Sequence, residues 1–386
     1  MPTLRRPDEP AIPLPPGSTI GIVGGGQLGR MSALAAARLG YRCHVLTDDP
    51  TGPAAQVSAG ATVGGYDDPA TLAAFADAVD VITFEFENVS ADGLELLTRL
   101  RPVRPHAGIL RLSQDRVAEK HFLSGIGIPV APWHPVEDEA SLQAAAVAVG
   151  LPLVLKTTRL GYDGKGQRVV REASGLTDAF AALEPHPLVA EAMVSFASEL
   201  SVMVARGLDG TVRCFDAAEN RHRAGILDLS LAPAPIGAEI AAAARAMAVR
   251  IAEALDLVGI LGVEMFLDRD GTLLVNEIAP RPHNSGHWTM DACPVGQFEM
   301  HVRAVAGLPL PEATRHSDAV MKNLVGPDEL ALWPVLLETP GLLPHHYGKA
   351  EARPGRKMGH VNRLFPRGAL PGPFGIDAAL GPLAGR

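Results

Sequence analysis

Residues 273–287 read LLVNEIAPRPHNSGH, and the run GVEMFLDRDG stands just before them at residues 262–271. Glu264 lies in one apolar run, Glu277 ends the other, and the Asp-Gly pair between the runs is typical of a hairpin turn. The pattern predicts two adjacent antiparallel strands whose carboxylates face each other. With Asn276 they form the oxygen-rich cluster that Mg²⁺ prefers, so Glu264 and Glu277 are candidate metal ligands. The alternative is a pair of exposed strand acids.

A polar loop bounded by prolines follows Glu277. It carries basic and hydrogen-bonding side chains at Arg281, His283, Asn284, Ser285 and His287. A loop of this composition at a strand end fits an anion-binding wall better than a solvated turn. For His283 the alternative is an ordinary loop histidine that makes no substrate contact.

A second group of candidates lies upstream, where the strand LPLVLK ends at Lys156 and the loop TTRLGYDGKGQ follows. Three glycines free the backbone of this loop to curl, at Gly161, Gly164 and Gly166. The loop amides can then cover phosphate oxygens while Lys156 or Lys165 supplies positive charge. The sequence is not a Walker A motif, because no GKS or GKT ending precedes a helix. The alternative is a flexible hairpin with exposed lysines.

Residues 18–112 alternate short apolar runs with helical ones, which predicts a β-α-β domain with a parallel sheet. Its first turn, GGGQLG at residues 24–29, matches the GxGxxG pattern, and Asp48 and Asp49 end the next strand. This spacing is also the dinucleotide fingerprint, so a nicotinamide- or flavin-dependent enzyme stays an alternative. Otherwise the glycines only permit a tight turn and close helix packing.

Composition bounds the function classes. The chain has 386 residues, 47% of them hydrophobic, and a formal net charge of −9, without basic tracts for nucleic acid. Its 3 cysteines are far apart and lack metal-ligand spacing, which favours a reducing, cytoplasmic location. The most apolar helical stretch, residues 237–256, carries several charges, so no membrane span is expected.

The pattern divides the chain into four parts. Residues 1–17 are expected to be a disordered proline-rich extension, and residues 18–112 a Rossmann-like domain. Residues 113–312 mix hairpins and helices as an α+β domain. Residues 313–386 are expected to form a small C-terminal domain with a basic loop, a single short helix in DELALWPVLL and a surface tail.

These parts in this order resemble the ATP-grasp superfamily and, within it, the N5-carboxyaminoimidazole ribonucleotide synthase family. The likeness covers residues 18–365, and six segments carry it: GGGQLGRM, FEFENV, GYDGKGQ, AENRHRAGI, NEIAPRPHNSGH and RKMGHVN. The resemblance implies an ATP-grasp fold preceded by a Rossmann-like domain and followed by a small C-terminal domain.

The resemblance also implies a role for each motif. Glu264 and Glu277 would hold Mg²⁺ against the phosphates, with Lys156, Tyr162, Asp163 and Arg281 at the reacting centre. The backbone of residues 191–194 would read adenine and Glu199 would hold the ribose. The residues implied to surround ATP are Arg116, Lys156, Gly161, Tyr162, Asp163, Gly164, Lys165, Gly166, Glu191, Ala192, Met193, Val194, Glu199, His222, Asn276 and Glu277.

A separate set would bind the aminoimidazole ribonucleotide. Its members are Gln27, Leu28, Glu85, Asn88, His283, Asn284, Ser285, Lys349, Arg356 and Lys357. The last three would meet the ribonucleotide phosphate, since a phosphate monoester needs several charge-assisted donors. By itself, KAEARPGRK is also what an ordinary solvated basic loop looks like.

The implied reaction is an ATP- and bicarbonate-dependent carboxylation through carboxyphosphate, carried out by a homodimer. Related formate-dependent glycinamide ribonucleotide transformylases are the nearest alternative, although PRPHNSGH and RKMGH stand where PRPHD and paired arginines are expected for them. A dehydrogenase and a non-enzymatic nucleotide sensor are the alternatives from other classes. The intact Glu264, Glu277 and Lys156 argue against the sensor.

Overall fold

The computed structural model describes residues 13–161, 165–183 and 187–385. Tyr162, Asp163 and Gly164, predicted at the nucleotide, lie outside the described residues. So does most of the proline-rich extension. The described part contains three β-sheets with helices packed against them.

The first sheet has four strands in the order β3-β2-β1-β4, and all of its pairs are parallel. Strands β1 and β4 are apolar along nearly their whole length, as expected for a parallel sheet covered on both faces. The elements are β1 (Thr19–Val23), α1 (Gln27–Arg38), β2 (Arg42–Thr47), β3 (Gly60–Val63), α2 (Pro69–Asp77), β4 (Val81–Phe84), α3 (Ala91–Thr98) and α4 (Ala107–Ser113). The predicted β-α-β domain with a parallel sheet is confirmed.

The second sheet is small and antiparallel, in the order β5-β8-β6-β7. Helix α5 precedes this sheet in the chain and starts where the Asp115 side chain accepts from the backbone N–H of Val117 and Ala118, which satisfies two free donors of the first turn. The elements are α5 (Arg116–Gly125), β5 (Trp133–Val136), α6 (Glu139–Val149), β6 (Leu153–Thr157), β7 (Gln167–Val170), α7 (Leu176–Ala181) and β8 (Leu188–Ala192). The backbone N–H of Arg116 donates to the Thr158 carbonyl at 3.0 Å, so Arg116 lies next to the end of β6.

The third sheet has nine strands in the order β14-β13-β9-β11-β12-β15-β17-β16, with β10 paired to β9. Its strands are β9 (Phe196–Arg206), β10 (Val212–Cys214), β11 (Ala218–Arg223), β12 (Ile226–Ala232), β13 (Gly259–Asp268), β14 (Leu273–Ala279), β15 (Ser317–Val325), β16 (Leu342–His346) and β17 (Lys357–Pro366). The helices of this part are α8 (Ala238–Ala254), α9 (Thr289–Ala292), α10 (Gln297–Ala306), α11 (Gly326–Leu330), α12 (Trp333–Glu338) and α13 (Pro373–Leu380).

The C-terminal strands join the central sheet rather than forming one of their own. Strand β12 pairs antiparallel with β15, from Leu229↔Lys322 to Ala232↔Ala319. Because β15 then pairs with β17, residues of the basic loop enter the same sheet as Glu264 and Glu277. The single helix expected in DELALWPVLL is wrong, since two short helices, α11 and α12, occupy this stretch.

The described segments nearest the two chain ends, which begin at residue 13 and stop at residue 385, are packed against the rest of the protein. Within the expected extension, Leu14 donates its backbone N–H to the Ala306 carbonyl at 2.9 Å, and its own carbonyl accepts from the Tyr41 hydroxyl at 2.8 Å. The tail, expected to wrap around or hang off the surface, contains helix α13, whose Ile376 and Leu380 are buried against the C-terminal strands. Apolar side chains spaced along α13 account for this docking. No helix in the described ranges has the length and apolar character to cross a bilayer.

Candidate active site

Glu264 and Glu277 are directly opposed across the β13–β14 hairpin, with a register shift just after Glu264. The predicted facing of the two carboxylates is confirmed. Burial first, and the negative charge of Glu277 second, raise the pKa of Glu264 to about 7. Burial also opposes ionisation of Glu277, but Arg116, whose Nη1 lies 2.9 Å from Glu277 Oε2, brings its pKa below the usual range. Two close carboxylates of this kind call for a cation.

Asn276 lies between these acids in sequence, and its Oδ1 is buried without a hydrogen-bond donor among the described residues. A buried amide oxygen without a partner costs free energy unless a ligand satisfies it. Among those same residues there is no cluster of three or more His, Cys, Asp or Glu able to hold a metal. Two facing carboxylates suit Mg²⁺ that also takes phosphate oxygens and waters, and the Asn276 amide oxygen stays a predicted further ligand.

A basic pocket lies next to the acid pair. Lys156 Nζ is 3.0 Å from Glu191 Oε2, and Lys120 Nζ is 3.2 Å from the same oxygen. Burial first, with Arg116 and Lys120 adding repulsion, lowers the pKa of Lys156 in spite of Glu191. Glu191 Oε1 is buried without a hydrogen-bond partner in the part of the chain that the structure describes. The pocket thus gathers three cationic side chains, Arg116, Lys120 and Lys156, of the kind that bind anionic phosphates.

Lys120 was not found by sequence reasoning. It stands four residues after Arg116 on α5, so both side chains lie on one helix face. That spacing was a usable signal. Glu119, beside it, is another missed residue: burial first, and then the charge of Glu277, raise its pKa to about 8.

The glycine-rich loop begins and ends at this pocket. A Cβ on Gly161 would lie 3.6 Å from Arg116 Nη2, and one on Gly166 would lie 2.6 Å from Thr157 Oγ1. Gly166 also has φ +69°, a left-handed backbone conformation that favours glycine. The loop therefore returns tightly to the end of β6, with Lys165 exposed next to Gly166.

The residues implied to bind the nucleoside lie on neighbouring strands. Glu199 Oε2 contacts His222 Nδ1, which joins β9 to β11. Burial alone would lower the pKa of His222, but the Glu199 carboxylate raises it above the usual value. The N–H groups of Ala192 and Met193 already donate to the Pro132 and Pro152 carbonyls, at 2.8 and 3.1 Å. The backbone groups that remain for adenine are therefore the carbonyls of residues 191–193 and the backbone of Val194. A backbone contact to adenine stays a prediction.

In the first domain, the side chain of Glu85 lies at the N-terminus of helix α1. Its carboxylate accepts from the backbone N–H of Gly26 and, at 2.7 Å, of Gly29. These amides at a helix N-terminus are the ones that would bind a dinucleotide pyrophosphate. A buried carboxylate in that place excludes an anion there by repulsion. The structure thus argues against the dehydrogenase alternative.

The other first-domain candidates differ in their surroundings. Gln27 is half-buried at the start of α1, and Asn88 is exposed beside a cavity of about 280 Å³. The Leu28 side chain packs in a buried cluster with Met31, Phe298 and Tyr347. Any ligand contact of Leu28 is therefore one of its backbone.

Arg281 and Glu87 connect the first domain to the loop after β14. Arg281 Nη2 lies 2.7 Å from Glu87 Oε1, and its Nη1 donates to the Pro282 carbonyl at 3.0 Å. Its Nε is buried and has no acceptor among the described residues. Glu87, between the predicted Glu85 and Asn88, was missed by the sequence analysis.

The remaining loop residues are held from several sides. His283 Nε2 lies 3.2 Å from Glu264 Oε1, and its Nδ1 lies 2.8 Å from Ser285 Oγ. Burial first, and then the charge of Arg281, lower the pKa of His283 well below its usual value. Asn284 forms a reciprocal amide pair with buried Asn323, at 2.8 and 3.0 Å. The structure thus brings His283, and not Asn284, against the acid pair.

The three basic C-terminal residues approach the site differently. Lys349 Nζ donates to the Lys357 carbonyl at 2.7 Å, and Arg356 Nη1 donates to the Glu351 carbonyl at 2.9 Å. Burial raises the pKa of both Glu264 and Glu85; the charge of Lys357 is close enough to oppose this rise at Glu264, and that of Lys349 opposes it at Glu85. Lys357 is therefore near the acid pair, whereas Arg356 lies in the outer loop.

Comparison with known proteins matches three family models in order along the chain: a ribonucleotide synthetase preATP-grasp domain over residues 18–114, an ATP-grasp domain over 121–298, and a phosphoribosylaminoimidazole carboxylase C-terminal domain over 319–367. The N5-carboxyaminoimidazole ribonucleotide synthase of Brucella melitensis is 52% identical over 92% of this chain and 98% of its own length.

Solved structures agree with the sequence relatives. The ADP complex of an N5-carboxyaminoimidazole ribonucleotide synthetase has a TM-score of 0.89 at 42% identity, over 92% of this chain and 94% of that one. The N5-carboxyaminoimidazole synthase of Aspergillus clavatus, in complex with ADP and 5-aminoimidazole ribonucleotide, has a TM-score of 0.88 at 32% identity, over 95% and 97%. By sequence and by fold, the chain belongs to the N5-carboxyaminoimidazole ribonucleotide synthase family.

Proposed function

We propose that this chain uses ATP and bicarbonate to carboxylate the amine of 5-aminoimidazole ribonucleotide, giving the N5-carboxy product, ADP and phosphate. The observation that carries the proposal is the facing pair Glu264 and Glu277, with the Lys156 pocket on one side and the Arg281–His283 loop on the other. The Lys156 pocket suits a nucleoside triphosphate. The Arg281–His283 loop suits a small anion next to the γ-phosphate of that nucleotide.

The residues present fit Mg²⁺. Glu264, Glu277 and the unpartnered Oδ1 of Asn276 would hold it, and the raised pKa of Glu264 reflects a repulsion that a cation would relieve. When bound, the ion would neutralise charge on the β- and γ-phosphates during phosphoryl transfer. Arg116 pairs with Glu277 at 2.9 Å, and its guanidinium would move to phosphate when the nucleotide binds.

The reaction that we propose begins with bicarbonate attacking the γ-phosphate, which gives carboxyphosphate and ADP. The amine of the ribonucleotide then takes the activated carboxyl group and phosphate leaves. Lys156 and Arg116 would hold the phosphates, and the buried Nε of Arg281 offers a donor for the carboxyl group. Because carboxyphosphate hydrolyses readily, positioning and exclusion of water do most of the work, and no covalent nucleophile is needed.

The ribonucleotide is assigned to the first-domain side of the site. Gln27, the Leu28 backbone, Glu85 and Asn88 would face its base and ribose, and Lys349, Arg356 and Lys357 its phosphate. The pairing of the C-terminal strands with the central sheet supports this assignment, because it brings the charge of Lys357 close enough to Glu264 to affect the pKa of that carboxyl group. We further propose that the chain consists of four regions, which are residues 1–17, 18–112, 113–312 and 313–386. We also propose that the protein is a homodimer and is located in the cytoplasm. The free cysteines Cys43, Cys214 and Cys293 suit that compartment.

One assay tests the proposal against the transformylase alternative. ADP release is measured with 5-aminoimidazole ribonucleotide and bicarbonate, and in parallel with glycinamide ribonucleotide and formate. We expect Mg²⁺-dependent ADP release only in the first mixture. Release only in the second would make the chain a formate-dependent enzyme, and consumption of a nicotinamide cofactor would revive the dehydrogenase.

A further inference from the structure

Gln297, the first residue of α10, lies beneath the loop of residues 283–287 and is completely buried. Its Oε1 accepts the backbone N–H of His283 at 2.9 Å. Its Nε2 donates to the His283 carbonyl at 2.8 Å and contacts His287 Nδ1 at 2.8 Å. Since the backbone N–H must face an oxygen and the carbonyl must face an N–H, these two bonds settle the orientation of the amide.

The amide is itself held in place. The backbone N–H of Gln297 donates to Thr289 Oγ1 at 2.9 Å, and that hydroxyl donates to the Gly286 carbonyl at 2.6 Å. A Cβ on Gly286 would come within 2.7 Å of Gln297 Oε1, so the loop closes directly around the amide. In a buried place, each lost bond would leave a polar group unpaired. The loop therefore has one favoured conformation.

The consequence is the placement of the His283 ring. A Cβ on Gly262 would lie 2.9 Å from His283 Cβ, so the histidine rests on strand β13 where that strand has no side chain. Two residues further along the same face, Glu264 Oε1 lies 3.2 Å from His283 Nε2. A backbone shift of about 1 Å at His283 would break this alignment, and shifts of that size can cost about a hundred-fold in rate.

We propose that Gln297 is a positioning residue for carboxyl transfer: by bonding both backbone polar groups of His283, it fixes that imidazole between Glu264 and the ribonucleotide. This inference rests on the proposed function. Both amide hydrogens of Gln297 are used within the protein, so it acts through His283 and does not touch substrate. Because Nε2 can only donate, His287 Nδ1 is the unprotonated ring nitrogen, and His287 is a further neutral part of the same support.

The test measures ADP and carboxylated ribonucleotide in the same reaction for the Gln297→Met variant, which keeps the side-chain length and removes the three amide contacts. Product formation should fall about ten- to a hundred-fold. ADP formation should fall much less, because carboxyphosphate that is not captured is lost to water. The product formed per ADP should therefore drop, with the KM for ATP within about two-fold of wild type.

The matched control is Thr83→Val. It removes a buried hydrogen bond of 3.0 Å between Thr83 Oγ1 on β4 and His301 Nε2. His301 lies on the same helix as Gln297, α10, but away from the loop of residues 283–287. We expect lower stability and an unchanged product-to-ADP ratio. A Gln297→Glu variant is measured as well. It keeps the side-chain size and the oxygen that accepts the His283 N–H, but it places a second oxygen against the His283 carbonyl and His287 Nδ1, which are both acceptors. It should show the same loss, and it decides the question where Gln297→Met does not fold.

The proposal is overturned if the Gln297 variants lose product and ADP in equal proportion, or if Thr83→Val lowers the ratio as much as they do. Either result would make Gln297 a structural residue only. Failure of the proposed function is distinguishable, because the wild-type enzyme itself would then make no bicarbonate-dependent product.

Discussion

Glu264 and Glu277 carry the strongest prediction at the scale of single residues. Changing either one to Gln removes a charged oxygen ligand and keeps the side-chain volume, so turnover should be abolished with the fold intact. The measurement is ADP release at saturating Mg²⁺, with circular dichroism for the fold. Retention of more than about a tenth of the wild-type rate, a loss below about 1.4 kcal/mol, would contradict the assignment.

A thermal melt separates this effect from damage to the fold. Burial and then the charge of Glu277 raise the pKa of Glu264, so the two acids repel each other when no cation is bound. Neutralising Glu264 should leave the melting temperature of the metal-free protein unchanged or higher, whereas Glu277→Gln also loses the pair with Arg116 and should lower it. A marked fall for Glu264→Gln would mean that this side chain supports the hairpin instead.

Lys156 is predicted to act on ATP. Lys156→Met should raise the KM for ATP and slow ADP formation, because the variant loses a buried charge next to the phosphates. Steady-state kinetics with ATP varied gives the first result and a thermal melt gives the second. A change in melting temperature alone would show that Lys156 serves only to neutralise Glu191, 3.0 Å away.

Single residues were predictable where the partners are close in sequence. Glu264 and Glu277 belong to one hairpin, so strand alternation and an Asp-Gly turn were enough to bring them together. Lys120 contacts Glu191 from another element, and no local pattern of the sequence connects the two. The role of Glu85 was also invisible locally, since its partners Gly26 and Gly29 lie more than fifty residues upstream.

Helix α10 allows a pH prediction at the scale of elements. It bonds to β4 through His301, whose pKa burial lowers to about 3. Below pH 6.5 the unfolded chain binds a proton at this residue that the folded chain does not, so stability is lost as the pH falls. A His301→Gln variant lacks this loss. Its destabilisation relative to wild type should shrink by about 1.4 kcal/mol for each pH unit below 6.5.

Urea denaturation of wild type and His301→Gln at pH 8, 7, 6 and 5 checks this prediction. Between pH 8 and 7 both states leave the residue neutral, so the difference in unfolding free energy should be constant there. A difference that stays constant down to pH 5 would show that His301 can be protonated in the folded protein.

Elements were predictable to the extent that their sequence pattern is local. The alanine-rich helix expected at 237–256 is α8, and the strand LPLVLK is β6. Strand β12 was missed, although ILDLSLA alternates and follows β11 in a tight hairpin. The tail helix α13 was missed because a segment rich in Pro and Gly gives no sign of the apolar surface that it covers.

On the scale of the whole molecule, the continuous sheet from β14 to β16 connects the acid pair to the C-terminal strands. Pairing of β12 with β15 crosses from the nucleotide side to the C-terminal part, and sequence periodicity does not reveal such a long-range pairing. This pairing places Lys357, the first residue of β17, close enough for its charge to affect the pKa of Glu264. Arg356, one residue earlier, remains in the outer loop with Arg353 and Glu351. The two ends of the basic loop should therefore differ in function.

Arg356 supplies the final prediction. If it meets the ribonucleotide phosphate, Arg356→Ala should raise the KM for that substrate and leave the KM for ATP nearly unchanged. Loss of one charge-assisted contact to a partly exposed phosphate costs about 1.5 to 3 kcal/mol, or roughly ten- to a hundred-fold in kcat/KM. Steady-state kinetics with each substrate varied in turn measures both constants.

Arg353→Ala is the matched control, because Arg353 stands in the same loop, is exposed and pairs with Glu351. It should change neither KM. Higher salt should shrink the Arg356 effect, since screening weakens exposed ion pairs first. An equal rise in both KM values would make the loop a general closure element, and an unchanged ribonucleotide KM would make it a solvated surface. In either case the phosphate would have to be held from the Lys357 side, next to the acid pair.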